Sequence, residues 1–386
     1  MKRCLSVLGA TGSIGTQTLD VARKLNLDIC ALAANRNVKL LEEQIREFRP
    51  RLAAVFDENA AKDLKLAVAD LPVRVVSGAE GICEAASCPQ ADLICNSVVG
   101  LAGLKPTLAA IEAKKDVALA NKETLVAGGA IVMKAAEKAG VKILPVDSEH
   151  SAVFQCLQGC PEKKALSRII LTASGGPFFG WSAEKLKSVT PEQALHHPNW
   201  HMGPKVTIDS ATMMNKGLEV MEASWLFNVP VSRIDVIVQR ESVVHSMIEY
   251  TDNSIIAQLG VPDMRIPIQY AITWPQRFPS LVRPLDLAEY GSLTFAKPDE
   301  KTFRCLAACR TAMTRGGLAP AAANGANEAA VELFLKGKIS FPDIGGLVTE
   351  AVQSQPDVSG EITFEKIMEA DGAARRCVLR SATSLR

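Results

Sequence analysis

The sequence predicts an α/β protein: a mostly parallel sheet with crossover helices, then an α+β part, then a helical tail. Three observations carry this. Over roughly the first 150 residues, short apolar runs alternate with amphipathic stretches, the pattern of strand–helix crossover units. A β-rich block follows, in which Val243–Tyr250 and Ser254–Leu259 are joined by the hairpin-like turn Thr251-Asp252-Asn253. From Thr302 onward the chain is Ala-rich with helical periodicity, broken at Gly316-Gly317, Gly337 and Gly345-Gly346.

In order, Cys4–Leu8, Asp28–Ala33, Ala53–Phe56, Asp92–Asn96, Asp116–Ala120 and Val141–Val146 read as strands. Gln17–Leu25, Leu40–Phe48, Pro106–Lys114 and Thr124–Ala139 read as the helices among them. Arg168–Ala173 and Ile234–Gln239 are further strands, and Asp209–Phe227 reads as one long helix. Pro275, Pro279 and Pro284 mark a linker. The expected boundaries are 1–147, 148–274, a linker over 275–300, and 301–386.

Composition narrows the function. Lys plus Arg is 43 and Asp plus Glu is 42, a net charge of +1, which argues against a general nucleic-acid or polyanion binder. No apolar stretch approaches the ~20 residues of a spanning helix. A cleaved signal is not expected, because Cys4–Leu8 runs straight into a glycine turn. The ten cysteines lack the density of a disulfide scaffold and suit a reducing compartment.

The first strand ends in Gly9-Ala10-Thr11-Gly12-Ser13-Ile14-Gly15 and a helix follows. Glycines there allow a tight turn and close approach of backbone to a pyrophosphate, whose charge the helix N-terminus holds. This is a Rossmann-like dinucleotide turn, with the spacing G-x-x-G-x-x-G. At the end of the second strand stands Asn35-Arg36-Asn37 rather than an acid. Arg36 can pair with a 2′-phosphate, which favours NADP over NAD. Asn121-Lys122-Glu123 ends the fifth of the strands read above, facing the crevice where ligands bind in such sheets.

A second constellation is acidic. In extended chain Asp147 and Glu149 share a side and can converge on a cation. Taken alone, the segment fits a capped helix start near Ser151 equally well. On the helix Asp209–Phe227, which Ser210 can cap, Asn215, Lys216 and Glu219 share one face. With Glu219 the donors become all-oxygen, a set suited to Mg²⁺ or Mn²⁺. Cysteine zinc sites are not expected: Cys156/Cys160 and Cys305/Cys309 read as helical thiols. Ser174, in Thr172-Ala173-Ser174-Gly175-Gly176-Pro177, suits an oxyanion, which Ser210, Asn215 and Lys216 can share. His196-His197-Pro198-Asn199-Trp200-His201-Met202-Gly203-Pro204 reads as a loop able to cover a substrate and exclude water.

These blocks closely resemble the 1-deoxy-D-xylulose 5-phosphate reductoisomerase family of the non-mevalonate isoprenoid pathway. The matching segments are GATGSIGTQTLDV, ALANKETLV, LPVDSEHSA, LTASGGPF, HPNWHMGPKVTIDSATMMNKGLEVMEA and QRESVVHSMIEY, in order, with a fitting helical tail. The resemblance implies an NADPH-binding domain, a catalytic and dimerisation domain and a helical domain within the boundaries above. Its cofactors are NADPH and Mn²⁺ or Mg²⁺, with Co²⁺ also able to serve. It implies that Thr11, Gly12, Ser13, Ile14, Arg36, Asn37, Asn121, Glu123 and Gly203 contact NADPH, and that Asp147, Glu149 and Glu219 bind the metal. Lys122, Ser148 and Asn215 would meet substrate hydroxyls. Ser174, His197, Ser210, Asn215 and Lys216 would hold its phosphate, with Trp200 over its backbone and Met264 near the nicotinamide. Lys122, Glu149, His197 and Met264 would be the catalytic set.

The resemblance further implies a homodimer acting on a small sugar phosphate in a bacterial cytoplasm or, less favoured, a plastid stroma, with no nucleic acid or membrane partner. His201 and Asn35 stand where the family commonly has Ser and Gly. Other expectations from the residues alone are a different NADP-dependent oxidoreductase and a non-catalytic NADP-sensing module. The first would not need three converging carboxylates beside a phosphate-holding set, and the second predicts cofactor binding without metal-dependent oxidation.

Overall fold

The computed structural model describes residues 3–160, 162–196, 203–358 and 360–384. The chain packs as two compact units. The first comprises residues 1–124, 132–151 and 263–283; the second comprises 125–131, 152–262 and 284–386. The segment expected as a linker is thus divided between them at Arg283/Pro284.

The first unit is built on seven strands: β1 (Cys4–Leu8), β2 (Asp28–Ala34), β3 (Leu52–Val55), β4 (Arg74–Ser77), β5 (Leu93–Asn96), β6 (Asp116–Leu119) and β7 (Ile143–Pro145). Their order is β4-β3-β2-β1-β5-β6-β7, with every neighbouring pair parallel. Helices on both faces bury the sheet, which is why β1, β2, β3, β5 and β6 read as continuous apolar runs. The order reverses beside β1, so the C-terminal ends of β1 and β5 flank the crevice where such sheets bind ligands.

Sequence reading omitted β4 and the helices Glu58–Ala67 and Gly78–Ala86. β4 is a four-residue edge strand with two apolar residues, Val75 and Val76, too short for a periodic signal. The helix Arg265–Thr273 joins this unit although it follows the second sheet in sequence. It packs on the helix Ser13–Lys24, and Arg3 ties its C-terminal end to β1 through the carbonyls of Ile272 (2.7 Å) and Trp274 (2.9 Å).

The second unit holds a five-stranded sheet of β8 (Leu166–Ala173), β9 (Ile234–Gln239), β10 (Val244–Tyr250), β11 (Ile255–Leu259) and β12 (Phe295–Ala296), in the order β11-β10-β8-β9-β12. Its apolar core continues into the helical tail through Leu218, Met221, Leu306, Ala322, Phe334 and Val348. The stripe Met214, Leu218 and Met221 is buried as core.

The long helix expected over Asp209–Phe227 is two helices, Pro204–Ala211 and Met214–Phe227. Thr212 Oγ1 donates to the carbonyls of Ile208 and Asp209 and accepts from the Met214 N–H, while Met213 takes a left-handed φ of 61°. Ser210 therefore lies in the last turn of the first helix and does not cap the second. Among the described residues no helix is long and apolar enough to cross a membrane.

Candidate active site

The glycine turn is made of backbone. The N–H groups of Gly9 and Ala10 both donate to the Ala33 carbonyl, and that of Gly12 returns to Gly9 O at 2.9 Å. Gly9 has φ +81°, and a Cβ there would meet Ser97 O at 2.7 Å. A Cβ on Gly15 would sit 2.1 Å from Gly9 O, so only glycine lets the helix Ser13–Lys24 start this close to the turn. Gly12 is its N-cap and makes no side-chain cap, so the first-turn N–H groups open toward an anion. Beside the turn, Ile14, Thr18, Asn96, Ala120, Val146 and Ile268 line a small cavity at the strand ends. These features fit a dinucleotide: a close backbone approach and a helix N-terminus at the C-terminal edge of a parallel sheet.

Arg36 lies at the end of β2 with its side chain 76% exposed, and its Nε is 3.1 Å from Asp57 Oδ2. Asp57 is held below the ordinary aspartate range first by the Ala60 N–H, with Arg36 adding to it. Asn37 caps the helix Val38–Phe48 through Leu40 N. Asn121 is buried: its Oδ1 accepts from Thr124 N at 2.9 Å, and its amide donates to Val98 O, Gly100 O and Glu123. Met264 precedes the helix Arg265–Thr273, within the first unit.

Asp147 accepts from Lys122 Nζ at 2.9 Å, and its other oxygen lies 3.0 Å from Nδ1 of the fully buried His150. Its backbone carbonyl accepts from Ser151 N, and its side chain accepts from Glu149 N. Ser148 Oγ donates to Glu149 Oε2 at 2.5 Å. The helix begins at Ser148, not near Ser151, so Asp147 caps it and Glu149 stands in its first turn. The two acids meet through a helix start rather than through strand alternation.

Glu219 is fully buried. Its two oxygens accept from Asn215 and Lys216, one helical turn away on the shared face. Asp147 and Glu149, in the first unit, and Glu219, in the second, offer three carboxylates as candidate metal ligands. Their all-oxygen donor chemistry fits a hard divalent ion with open positions for water or substrate. Cys305 and Cys309 are buried thiols. Burial pushes Cys305 up to about 12.

Ser174 Oγ accepts from Gly176 N at 3.3 Å. A Cβ on Gly176 would meet Ser210 O at 2.9 Å, which brings the Ser174 loop against Ser210. Gly203 is the N-cap of the helix Pro204–Ala211. His197, Trp200 and His201 lie outside the described residues.

Four supporting residues escaped sequence reading. Gln44 donates to Ala10 O in the glycine turn, and Arg240 donates to the carbonyls of Ser174 and Gly176. His150 orients Asp147, and Asn327 donates to the buried Asp209, which Lys205 also pairs at 2.8 Å. Only the His150 spacing, one helical turn from Asp147, was a usable signal.

The family model for 1-deoxy-D-xylulose 5-phosphate reductoisomerase matches residues 5–129, and models of its C-terminal domains match 143–227 and 259–377. The chain is 50% identical to the 1-deoxy-D-xylulose 5-phosphate reductoisomerase of Chloroherpeton thalassium, covering 100% of this chain and 99% of that protein. It is 54% identical to that of Acetivibrio thermocellus, covering 97% and 98%. A solved structure of the Zymomonas mobilis enzyme in complex with NADPH aligns with a TM-score of 0.93 at 42% identity, over 99% of both chains. Another, of DOX-P reductoisomerase in complex with NADPH, fosmidomycin and magnesium, aligns at 0.94 and 40% identity, again over 99% of both. The chain belongs to the 1-deoxy-D-xylulose 5-phosphate reductoisomerase family.

Proposed function

We propose that Asp147, Glu149 and Glu219 hold the divalent ion of an enzyme that rearranges and reduces 1-deoxy-D-xylulose 5-phosphate to 2-C-methyl-D-erythritol 4-phosphate with NADPH. The set of three acids carries this reading. Its all-oxygen chemistry suits Mg²⁺ or Mn²⁺, and a magnesium-bound relative of this family aligns over the whole chain. When bound, the ion supplies Lewis-acid polarisation of the substrate carbonyl and its neighbouring hydroxyl, and NADPH supplies the hydride for the rearranged aldehyde.

The chain's own groups do the positioning. Lys122 and His150 hold Asp147 from both sides, which fixes one carboxylate before substrate arrives. Asn215 and Lys216 do the same for Glu219. Lys122, Ser148 and Asn215 meet substrate hydroxyls. Ser174, Ser210, Asn215, Lys216 and His197 hold the remote phosphate, whose binding energy orients the reacting carbons. Trp200 covers the substrate and excludes water. Thr11, Gly12, Ser13 and Ile14 face the pyrophosphate. Arg36 and Asn37 take the 2′-phosphate, Asn121, Glu123 and Gly203 line the rest of the cofactor, and Met264 packs on the nicotinamide. Lys122, Glu149, His197 and Met264 would make up the catalytic set.

The acting form is a homodimer. β11 is an edge strand that exposes Ile255 (50%) and Ile256 (45%), an unusual surface for a lone chain. Sedimentation should give a dimer that Ile256→Lys weakens; a wild-type monomer would remove this reading. The bacterial cytoplasm is the proposed compartment, in keeping with the bacterial relatives.

The deciding assay follows NADPH absorbance with 1-deoxy-D-xylulose 5-phosphate, with and without a chelator. Oxidation that stops on chelation and returns with Mn²⁺ supports the proposal. Cofactor binding without turnover, or turnover indifferent to chelator, contradicts it.

A further inference from the structure

The Ser174 loop is held by a residue far along the chain. β8 ends at Ala173, and Ser174-Gly175-Gly176 follows. β9 lies parallel beside β8, with Ala173 opposite Val238. β10 lies on the other side of β8 and runs antiparallel to it. The chain leaving β9 at Gln239 must therefore cross the C-terminal end of β8, and Arg240 is the first residue of that crossing.

The crossing is itself fixed. Gln239 Oε1 accepts from Val243 N at 2.9 Å and Val244 N at 3.3 Å, and Glu241 accepts from Thr294 Oγ1 at 2.7 Å, just before β12. From this base Arg240 Nη1 donates to Ser174 O at 3.1 Å and to Gly176 O at 2.8 Å. Its guanidinium carbon stands 5.1 Å from the centre of the Phe179 ring, further along the same loop. A clamp suits this loop. Gly175 and Gly176 take left-handed φ values of +79° and +68°, and glycine has the most backbone freedom to lose.

We propose that Arg240 is a positioning residue for phosphate recognition, holding two carbonyls of the Ser174 loop so that the Gly175 N–H and the Ser174 hydroxyl face the phosphate of the substrate. The inference rests on the assignment of Ser174 to that phosphate. The Ser174–Gly175 peptide is trans, so the Gly175 N–H points opposite to the carbonyl that Arg240 holds. That N–H makes no hydrogen bond with any described residue, although Gly175 is buried. A buried donor left unpaired is costly, and a phosphate oxygen supplies the acceptor. Loss of Arg240 leaves the two carbonyls without this donor. The glycine peptides are then free to turn a carbonyl oxygen, rather than an N–H, toward the anion.

The test is steady-state kinetics on the full chain with Mn²⁺ and NADPH. Arg240→Ala should raise KM for 1-deoxy-D-xylulose 5-phosphate by about tenfold, while the Kd values of NADPH and Mn²⁺ stay as in wild type. Arg240→Lys, whose ammonium can donate to both carbonyls, should restore most of the loss. Arg240→Gln keeps a stem without the charge and should give a smaller rise; it decides the case if circular dichroism shows the alanine variant unfolded. Ser174→Ala tests the underlying assignment and should raise KM by itself. In the double variant Ser174→Ala, Arg240→Ala the rise should be less than the product of the two single effects, because both act on one loop. An unchanged KM in Ser174→Ala would remove the phosphate assignment and this inference with it. A raised KM there beside an unchanged KM in Arg240→Ala would overturn the role of Arg240 alone. So would single effects that simply multiply, or NADPH binding that weakens in step with KM.

Discussion

The glycine turn and the acid-bearing helices are held in place by opposite means. The turn is backbone against backbone: Gly9 bonded to Ala33, and Gly15 so close to Gly9 that no side chain fits. The acids are held by side chains, each with one lysine: Asp147 by Lys122 and His150, and Glu219 by Lys216 and Asn215. Added volume should therefore break the first, and a change of charge the second.

The largest effect is expected at the acids. Glu219→Gln keeps the volume and loses the charge, so kcat should fall by roughly a thousandfold, several kcal/mol of Lewis-acid assistance, in the NADPH assay with Mn²⁺. The fold should persist by circular dichroism. A near-normal rate at low Mn²⁺ would remove Glu219 from the ligand set.

The glycine turn gives the next effect. Gly15→Ala places a Cβ against backbone at 2.1 Å and should cost ~3 kcal/mol of stability, measured as a lowered Tm. Gly12→Ala meets only Gly9 O at 3.3 Å and should leave Tm nearly unchanged while weakening NADPH binding by fluorescence titration. Equal behaviour of the two variants would blur the contrast between a packing glycine and a ligand-facing one.

Arg36→Ala should then raise the Kd for NADPH about tenfold and leave NADH unchanged, as expected for the loss of one charge-assisted phosphate contact. Equal loss for both cofactors would remove the 2′-phosphate role.

The smallest effect lies at the start of the helix Arg265–Thr273. Arg265 holds the Asp263 carboxylate below its ordinary range. A depressed pKa stabilises the fold above the unfolded value, and that contribution fades as pH falls through the folded value. Asp263→Asn should lower stability at pH 7 by about 1 kcal/mol or less. In urea titrations the gap from wild type should close in acid, and a gap constant with pH would contradict the pairing.

Much of this molecule was legible in its sequence. Six strands of the first sheet announce themselves because parallel strands are buried on both faces and carry unbroken apolar runs. The Gly9–Gly15 turn was readable because its spacing is local. Asn215, Lys216 and Glu219 were readable because helical spacing puts them on one face. What stayed hidden was long-range or conformational. The break at Met213 depends on a left-handed residue with no glycine to signal it. Gln44 reaches Ala10, and Asn327 reaches Asp209, across 34 and 118 positions of chain, and neither looks unlike any other amide until the fold closes. The helix Arg265–Thr273 packs with a sheet that ended more than a hundred residues earlier, so its membership could be read only from packing.

The most direct test of the account is a Mn²⁺ titration followed by electron paramagnetic resonance. Wild-type chain should bind one ion, and Asp147→Asn, Glu149→Gln and Glu219→Gln should each weaken it by at least roughly tenfold, the cost of losing one charged ligand. Undiminished Mn²⁺ affinity in the Glu219→Gln protein, with its fold intact, would contradict it.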